Sequence, residues 1–189
     1  MNNPEFSIYV GPMFSGKTSA MMLAYDRMRH SGKRCAIFKP HIDDRYDVKA
    51  VVTHSGWNIP ATGITNGSDL LSKLAAMDEE PSIVAVDEAF MLDGIADVLI
   101  WMFRSGISVI VSTLDLSYSG KTFSEVNAML PWATEIHKCK AACTVCGEDA
   151  NFTYMKQFVN DDSDQVKVGG AEMYEPRCFT HHPIINKRP

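Results

Sequence analysis

Residues 11–18 read Gly11-Pro-Met-Phe-Ser-Gly-Lys-Thr18 and satisfy G-x-x-x-x-G-K-[ST] at every fixed position. The residues on either side give this stretch the context that its chemistry requires. Phe6-Ser-Ile-Tyr-Val10 is a short apolar run that predicts a buried strand. Ser19 to Met28 places Ala, Met and Leu residues at helical spacing and stops near Ser31-Gly32. A glycine-bounded loop between a strand and a helix wraps phosphates with main-chain N–H groups at a helix N-terminus, where the peptide dipoles favour an anion. Gly11, Pro12, Met13, Phe14, Ser15, Gly16, Lys17 and Thr18 are therefore expected to hold a nucleoside triphosphate, ATP or GTP. Lys17 should reach the β- and γ-phosphates, and the Thr18 hydroxyl should ligate Mg²⁺. Ser119-Gly-Lys-Thr122 resembles the end of such a loop, but the earlier glycine is replaced by Asp115 and no helical pattern follows directly.

Further along the chain, apolar runs alternate with helical patterns. Strands are expected at Arg34–Phe38, Ser82–Val86 and Ile107–Val111. Helices are expected at Asp69–Met77, with Ser68 as N-cap, and at Phe90–Phe103. This alternation predicts an α/β fold, a P-loop parallel sheet with covering helices, over residues 1–135. From Thr134 the helical periodicity fades and cysteines appear, so residues 136–189 are expected to form a small C-terminal zinc-binding domain.

Two constellations carry further chemistry. The third strand runs straight into Asp87-Glu88. A carboxylate at the end of a buried strand serves phosphate-bound Mg²⁺ in this nucleotide-binding class. Asp87 is assigned that metal role, through water. Glu88 leaves the backbone in another direction and is the candidate base for an attacking hydroxyl. In the last third of the chain, Cys143-Thr-Val-Cys146 and Cys178-Phe-Thr-His181 form a C-x-x-C … C-x-x-H set. Paired ligands of this type suit a closed, tetrahedral structural Zn²⁺ site of Cys143, Cys146, Cys178 and His181, with His182 as an alternative to His181. Cys139 falls outside the pairs. Cys35 lies in a strand pattern and reads as a small buried hydrophobe.

The composition limits the remaining possibilities. The 189 residues carry a net charge of −5, with lysine and arginine scattered, so no basic footprint for direct nucleic-acid binding appears. No apolar run approaches the ~18 residues of a membrane span. The opening Met1-Asn-Asn-Pro-Glu-Phe-Ser7 lacks the basic and apolar regions of a secretory signal, so a cytoplasmic location is expected.

Taken together, the motifs resemble the type II thymidine kinases. The phosphate loop GPMFSGKT is close to that family's wording. Lys39-Pro-His-Ile-Asp-Asp-Arg-Tyr46 is similar to its K-P-x-x-D-x-R segment, and Val86-Asp-Glu-Ala89 to its D-E-A-Q segment. Leu114-Asp115 through Phe123 resembles its thymidine-contacting stretch. Val168-Gly-Gly-Ala-Glu-Met-Tyr174 resembles its lasso loop. The resemblance implies a Mg-ATP-dependent kinase acting on the 5′-hydroxyl of thymidine, with deoxyuridine or 5-substituted analogues as further substrates. It implies Glu88 as base, with Asp87, Glu88, Ala89 and Phe90 joining the loop on the ATP side. It also implies Arg45 near the transferred phosphoryl group and Asp43 near the sugar or metal. Met13, Leu114, Tyr118 and Phe123 would line the thymine. Gln165, Val166, Lys167, Val168 and Gly169 would hold the base through backbone groups, with Tyr174 beside it. A homotetramer is the assembly implied. The chain departs from the family pattern on the nucleoside side: Phe90 replaces a glutamine, Met91 an aromatic, Tyr118 a phenylalanine, and Ser119-Gly120 a more basic pair.

Overall fold

The structure, a computed structural model, describes residues 3–42, 50–52, 56–156 and 169–187. Its strands and helices run in the order β1 (Phe6–Val10), α1 (Lys17–His30), β2 (Cys35–Pro40), β3 (Ala50–Val52), β4 (Asn58–Pro60), β5 (Thr62–Ile64), α2 (Gly67–Ala75), β6 (Ile83–Val86), α3 (Ile95–Arg104), β7 (Ser108–Thr113), α4 (Ser124–Met129) and β8 (Glu135–Lys138). Four short strands follow: β9 (Ala141–Ala142), β10 (Asp149–Ala150), β11 (Phe152–Met155) and β12 (Tyr174–Arg177). One six-stranded sheet, ordered β5-β2-β6-β7-β1-β8, organises the chain, and all its neighbouring strands are parallel.

The central strands are mostly apolar because both of their faces are covered. Phe6, Ile8 and Val10 of β1 join Val84, Val86, Val109 and Val111 in a core packed under the other helices, with Leu70, Leu99, Met102 and Met129. Alternate residues, Ile83, Ala85 and Ile110, face α1 through Met21, Met22 and Tyr25. The antiparallel pair β3–β4 adds Val51 and Ile59 to that second core. The expected α/β architecture is therefore present. The sheet continues through Lys138, past the residue at which the sequence changes character, because β8 pairs with β1. Among the described residues, no helix is long and apolar enough to cross a membrane.

Two local expectations are corrected. The helix expected over 90–103 is a 3₁₀ turn at Ala89–Met91 followed by α3 from Ile95, separated by Gly94 in the left-handed region at φ 68°. Glu125 of α4 caps α3 from a distance, its carboxylate accepting the N–H groups of Gly94 at 3.0 Å and Ala96 at 2.8 Å. The N-cap of α2 is Asn66 rather than Ser68: the Asn66 side chain accepts from the Asp69 N–H at 2.9 Å, and Asp69 in turn accepts from the Thr65 N–H at 2.9 Å. The strands β3, β4 and β5, each three residues long, lay below the reach of periodicity.

Because the cap is a specific hydrogen bond, Asn66→Ala should destabilise the fold by about 1 kcal/mol in urea unfolding. Ser68→Ala, at an exposed position inside the first turn, should change it by less than about 0.5 kcal/mol. Equal effects at the two positions would refute this assignment.

Candidate active site

At the C-terminal end of β1 the chain bends sharply. Gly11 has φ 150°, and a Cβ there would lie 2.3 Å from the Cys139 carbonyl oxygen, so no side chain fits. The Cys139 N–H donates to the Val10 carbonyl at 2.7 Å, continuing the β1–β8 pairing up to the bend. Phe14 at φ 65° and Gly16 at φ 77° complete a loop with two left-handed turns. The Ser15 hydroxyl and the Lys17 ammonium both donate to the Pro12 carbonyl, at 2.8 Å and 2.6 Å. Lys17 is buried although charged. The N-cap of α1 is Gly16, which has no side chain to cap it. Its first-turn N–H groups therefore keep the anion-binding capacity of an open helix start.

Across the sheet edge, β6 delivers Asp87 to this loop. Asp87 is buried, and its N–H donates to the Phe38 carbonyl of β2 at 3.0 Å. The Thr18 hydroxyl lies 3.1 Å and 3.3 Å from the two Asp87 carboxylate oxygens. The structure thus brings together the two residues assigned to Mg²⁺, and their hard oxygen donors are of the type that ion takes. Glu88 adopts φ 49°, ψ 43°, a left-handed conformation that costs a residue with a Cβ about 1–2 kcal/mol. This turn breaks the strand alternation after Asp87 and starts the 3₁₀ segment carrying Ala89 and Phe90. Asp43 and Arg45 lie outside the described residues.

An apolar wall adjoins the loop. Phe90, Leu114 and Val126 form a buried cluster against which Met13, Met91 and Phe123 pack. The Phe90 and Phe123 rings are tilted, with centroids 4.8 Å apart. Phe90, assigned to the ATP side, therefore places its ring with the residues assigned to the nucleoside. Met13 belongs to both regions, its backbone to the phosphate loop and its side chain to this wall. The stretch after Leu114 folds back through a bridge between Leu116 and Thr122, with Tyr118 in the turn. That turn explains why Ser119–Thr122 forms no phosphate loop, although α4 does start soon after it. Tyr118 faces Tyr174 with ring centroids 6.4 Å apart. Tyr174 is buried at the start of β12, its N–H bonded to the Gly170 carbonyl at 3.0 Å. Gly169 is described, whereas Gln165, Val166, Lys167 and Val168 lie outside the described residues. Sequence motifs gave no sign of Thr153, whose hydroxyl accepts the Met13 N–H at 3.0 Å. Its only signal is an inward position in the alternation of Phe152-Thr-Tyr-Met155.

The four metal-ligand candidates converge. One ligand atom from each of Cys143, Cys146, Cys178 and His181 lies within 4.8 Å of all the others. Cys146 Sγ is 3.8 Å from Cys178 Sγ, and His181 Nδ1 is 3.2 Å from Cys178 Sγ and 3.9 Å from Cys143 Sγ. A tetrahedron with Zn–S bonds of about 2.3 Å has sulfur–sulfur edges of about 3.8 Å, so the donor set and its spacing fit that ion. Burial pushes the Cys143 thiol up, but hydrogen bonds from the backbone at Cys178, Val145 and Cys146 outweigh this and bring it down to about 6. At Cys146 the Glu148 backbone pulls downward, and burial together with the neighbouring Cys143 and Cys178 sulfurs reverses this to a net rise. Of the two histidines, His181 joins the cluster and His182 does not. His182 is fully buried, its Nε2 bonded to the Thr153 carbonyl at 2.9 Å.

The profile of the thymidine kinase family matches residues 5–182. The chain is 35% identical over 186 residues to a thymidine kinase of Onion yellows phytoplasma, covering 95% of this chain and 87% of the relative. It is 34% identical over 184 residues to one of Aster yellows witches'-broom phytoplasma, at 95% and 87% coverage. It is 30% identical over 186 residues to one of Ureaplasma urealyticum serovar 10, at 95% and 83% coverage. Among solved structures, it is similar to the replication initiator DnaA bound to AMPPCP and single-stranded DNA. There the TM-score is 0.40 and the identity 10%, over 72% of this chain and 40% of that one, too weak a likeness to bear on function. A match along nearly the whole length agrees with the motifs and with the parallel sheet and cysteine–histidine cluster that carry them: the chain belongs to the thymidine kinase family and is a kinase, a phosphotransferase.

Proposed function

We propose that this kinase transfers the γ-phosphoryl group of Mg-ATP to the 5′-hydroxyl of thymidine, with deoxyuridine and 5-substituted analogues as secondary substrates. The observation that carries this is the meeting of three parts at one sheet edge: the phosphate loop, Asp87-Glu88 and the aromatic wall, with Met13 common to loop and wall. The loop amides and Lys17 bind the triphosphate and neutralise it. Thr18 and Asp87 would hold Mg²⁺, and the ion would supply positive charge to offset that of the phosphates. Phe90, Phe123, Leu114 and Tyr118 offer the flat apolar surface that a nucleobase needs, and residues 165–169 are assigned to hold its edge through backbone groups, with Tyr174 beside it. Arg45 and Asp43 support the phosphoryl and sugar groups. Glu88 accepts the 5′-hydroxyl proton as that oxygen attacks in line. A homotetramer in the cytoplasm belongs to the same reading.

Incubating the protein with labelled ATP and a panel of nucleosides tests this directly. Thymidine should be the preferred acceptor, and absence of any nucleoside monophosphate product would refute the proposal. Glu88→Gln should lower kcat at least about a hundredfold, the usual worth of a positioned base, while Mg-ATP analogue binding in calorimetry persists. Turnover close to wild type would remove Glu88 from the chemistry.

Zinc at the cysteine–histidine cluster is part of the proposal, supported by the donor set and its spacing. Purified protein should carry one zinc per chain by elemental analysis, and His181→Ala should lose it. His182→Gln should retain the metal while lowering the unfolding midpoint. Zinc loss from the His182 variant alone would reverse the assignment of the two.

A further inference from the structure

Outside every motif, one residue is hydrogen-bonded on two sides, once to the phosphate loop and once to the metal-ligand segment. Thr153 on β11 is 3% exposed. Its hydroxyl accepts the Met13 N–H of the phosphate loop at 3.0 Å. Its carbonyl is 2.9 Å from His182 Nε2. His182 Nδ1 accepts the Ile185 N–H at 3.2 Å, which leaves the ring proton on Nε2 and makes that nitrogen the donor to Thr153. The residue before it, His181, offers Nδ1 to the cysteine–histidine cluster. On the other side, Thr153 pairs with Pro176 of β12, which runs directly into the ligand Cys178.

The geometry of the loop gives this path a consequence. A phosphate cradle works only if its amides converge on the anion, and displacements of about 0.5 Å degrade such a site. Met13 sits inside the bend, so its anchoring by Thr153 limits where the later amides of the loop can lie. The start of the same loop is confined by the Cys139 carbonyl above Gly11. Cys139 belongs to the segment that leads into the metal-ligand region. Both restraints on the loop therefore come from the C-terminal part of the chain. A metal site of this kind is rarely preformed in the unfolded chain, so free energy of metal binding is also free energy of folding, and ordering of that part is coupled to loading of the cluster.

We propose that Thr153 is a positioning residue for the phosphate loop, and that metal loading of the cysteine–histidine cluster sets the affinity for ATP through it. This rests on the triphosphate and zinc assignments made above. Calorimetric binding of a non-hydrolysable Mg-ATP analogue to the full-length protein tests it without requiring turnover. Thr153→Val should weaken binding about fivefold, the effect of one lost buried hydrogen bond, and Thr153→Ser, which keeps the hydroxyl, should restore it. Chelating zinc should weaken binding to the wild type and to Thr153→Ser, but should add little in Thr153→Val, whose link is already cut. The positioning role is overturned if Thr153→Val binds as wild type, if Thr153→Ser is as weak as Thr153→Val, or if chelation costs wild type and Thr153→Val equally. Should Thr153→Val fail to fold by circular dichroism, wild type and Thr153→Ser with and without chelator decide: undiminished affinity after zinc loss in both refutes the coupling. A wild-type protein that binds no analogue at all would instead overturn the assignment of the phosphate loop.

Discussion

The close approach of the Cys139 carbonyl to Gly11 is the contact on which the site depends. A phosphate loop buries little surface of its own, and its open amides repel one another until an anion arrives. Its shape must therefore be imposed from outside. Here β1 lies between β7 and β8, so both edges of the strand that launches the loop are held by parallel hydrogen bonds. The chain leaving β8 then crosses above the bend at a distance that admits only glycine. Confinement from two neighbouring strands and one crossing carbonyl gives the loop its form, and the open start of α1 supplies its charge preference.

The other groups follow from the same sheet edge. Alternation along a parallel strand sends Val84 and Val86 into one core and Ile83 and Ala85 into the other. Asp87 therefore emerges on the α1 face, where Thr18 waits in the first turn of the helix. Glu88 follows at once and would be directed to the opposite face by simple alternation. The left-handed turn at φ 49° breaks that rule. Strain of this size is retained where the surrounding structure over-determines the conformation. Here β6 pairs on both sides, and the following 3₁₀ segment is anchored by Ala89 and Phe90, both buried.

Much of this was legible in the sequence because the signals were local. The phosphate loop, Asp87-Glu88 and the two ligand pairs are each contiguous, and their residue types have few competing roles. What escaped was set by tertiary contact. Ser68 is a sound cap by propensity, yet the helix starts earlier because the Asn66 side chain accepts the Asp69 N–H while the Asp69 carboxylate accepts the Thr65 N–H. The run 90–103 has helical composition throughout, but Gly94 adopts a left-handed conformation and Glu125, thirty-one positions away, supplies the cap of the second piece. Choosing between His181 and His182 required the hydrogen bond from His182 to Thr153, which no spacing rule contains. Thr153 itself is an ordinary strand threonine until the loop is seen against it.

The placement of β1 also governs how the protein can be made. Glu5, at the edge of this strand, meets its β7 neighbour 103 residues later, and the β8 partner follows later still. On the ribosome, at roughly 5–20 residues per second, this apolar segment must wait several seconds or more with neither flank paired. Throughout that interval it is a sticky, half-finished edge of the kind that chaperones cover. Assembly of the catalytic end is consequently a late event in the life of the nascent chain, and slow translation between β1 and β7 would lengthen its exposure to misassociation.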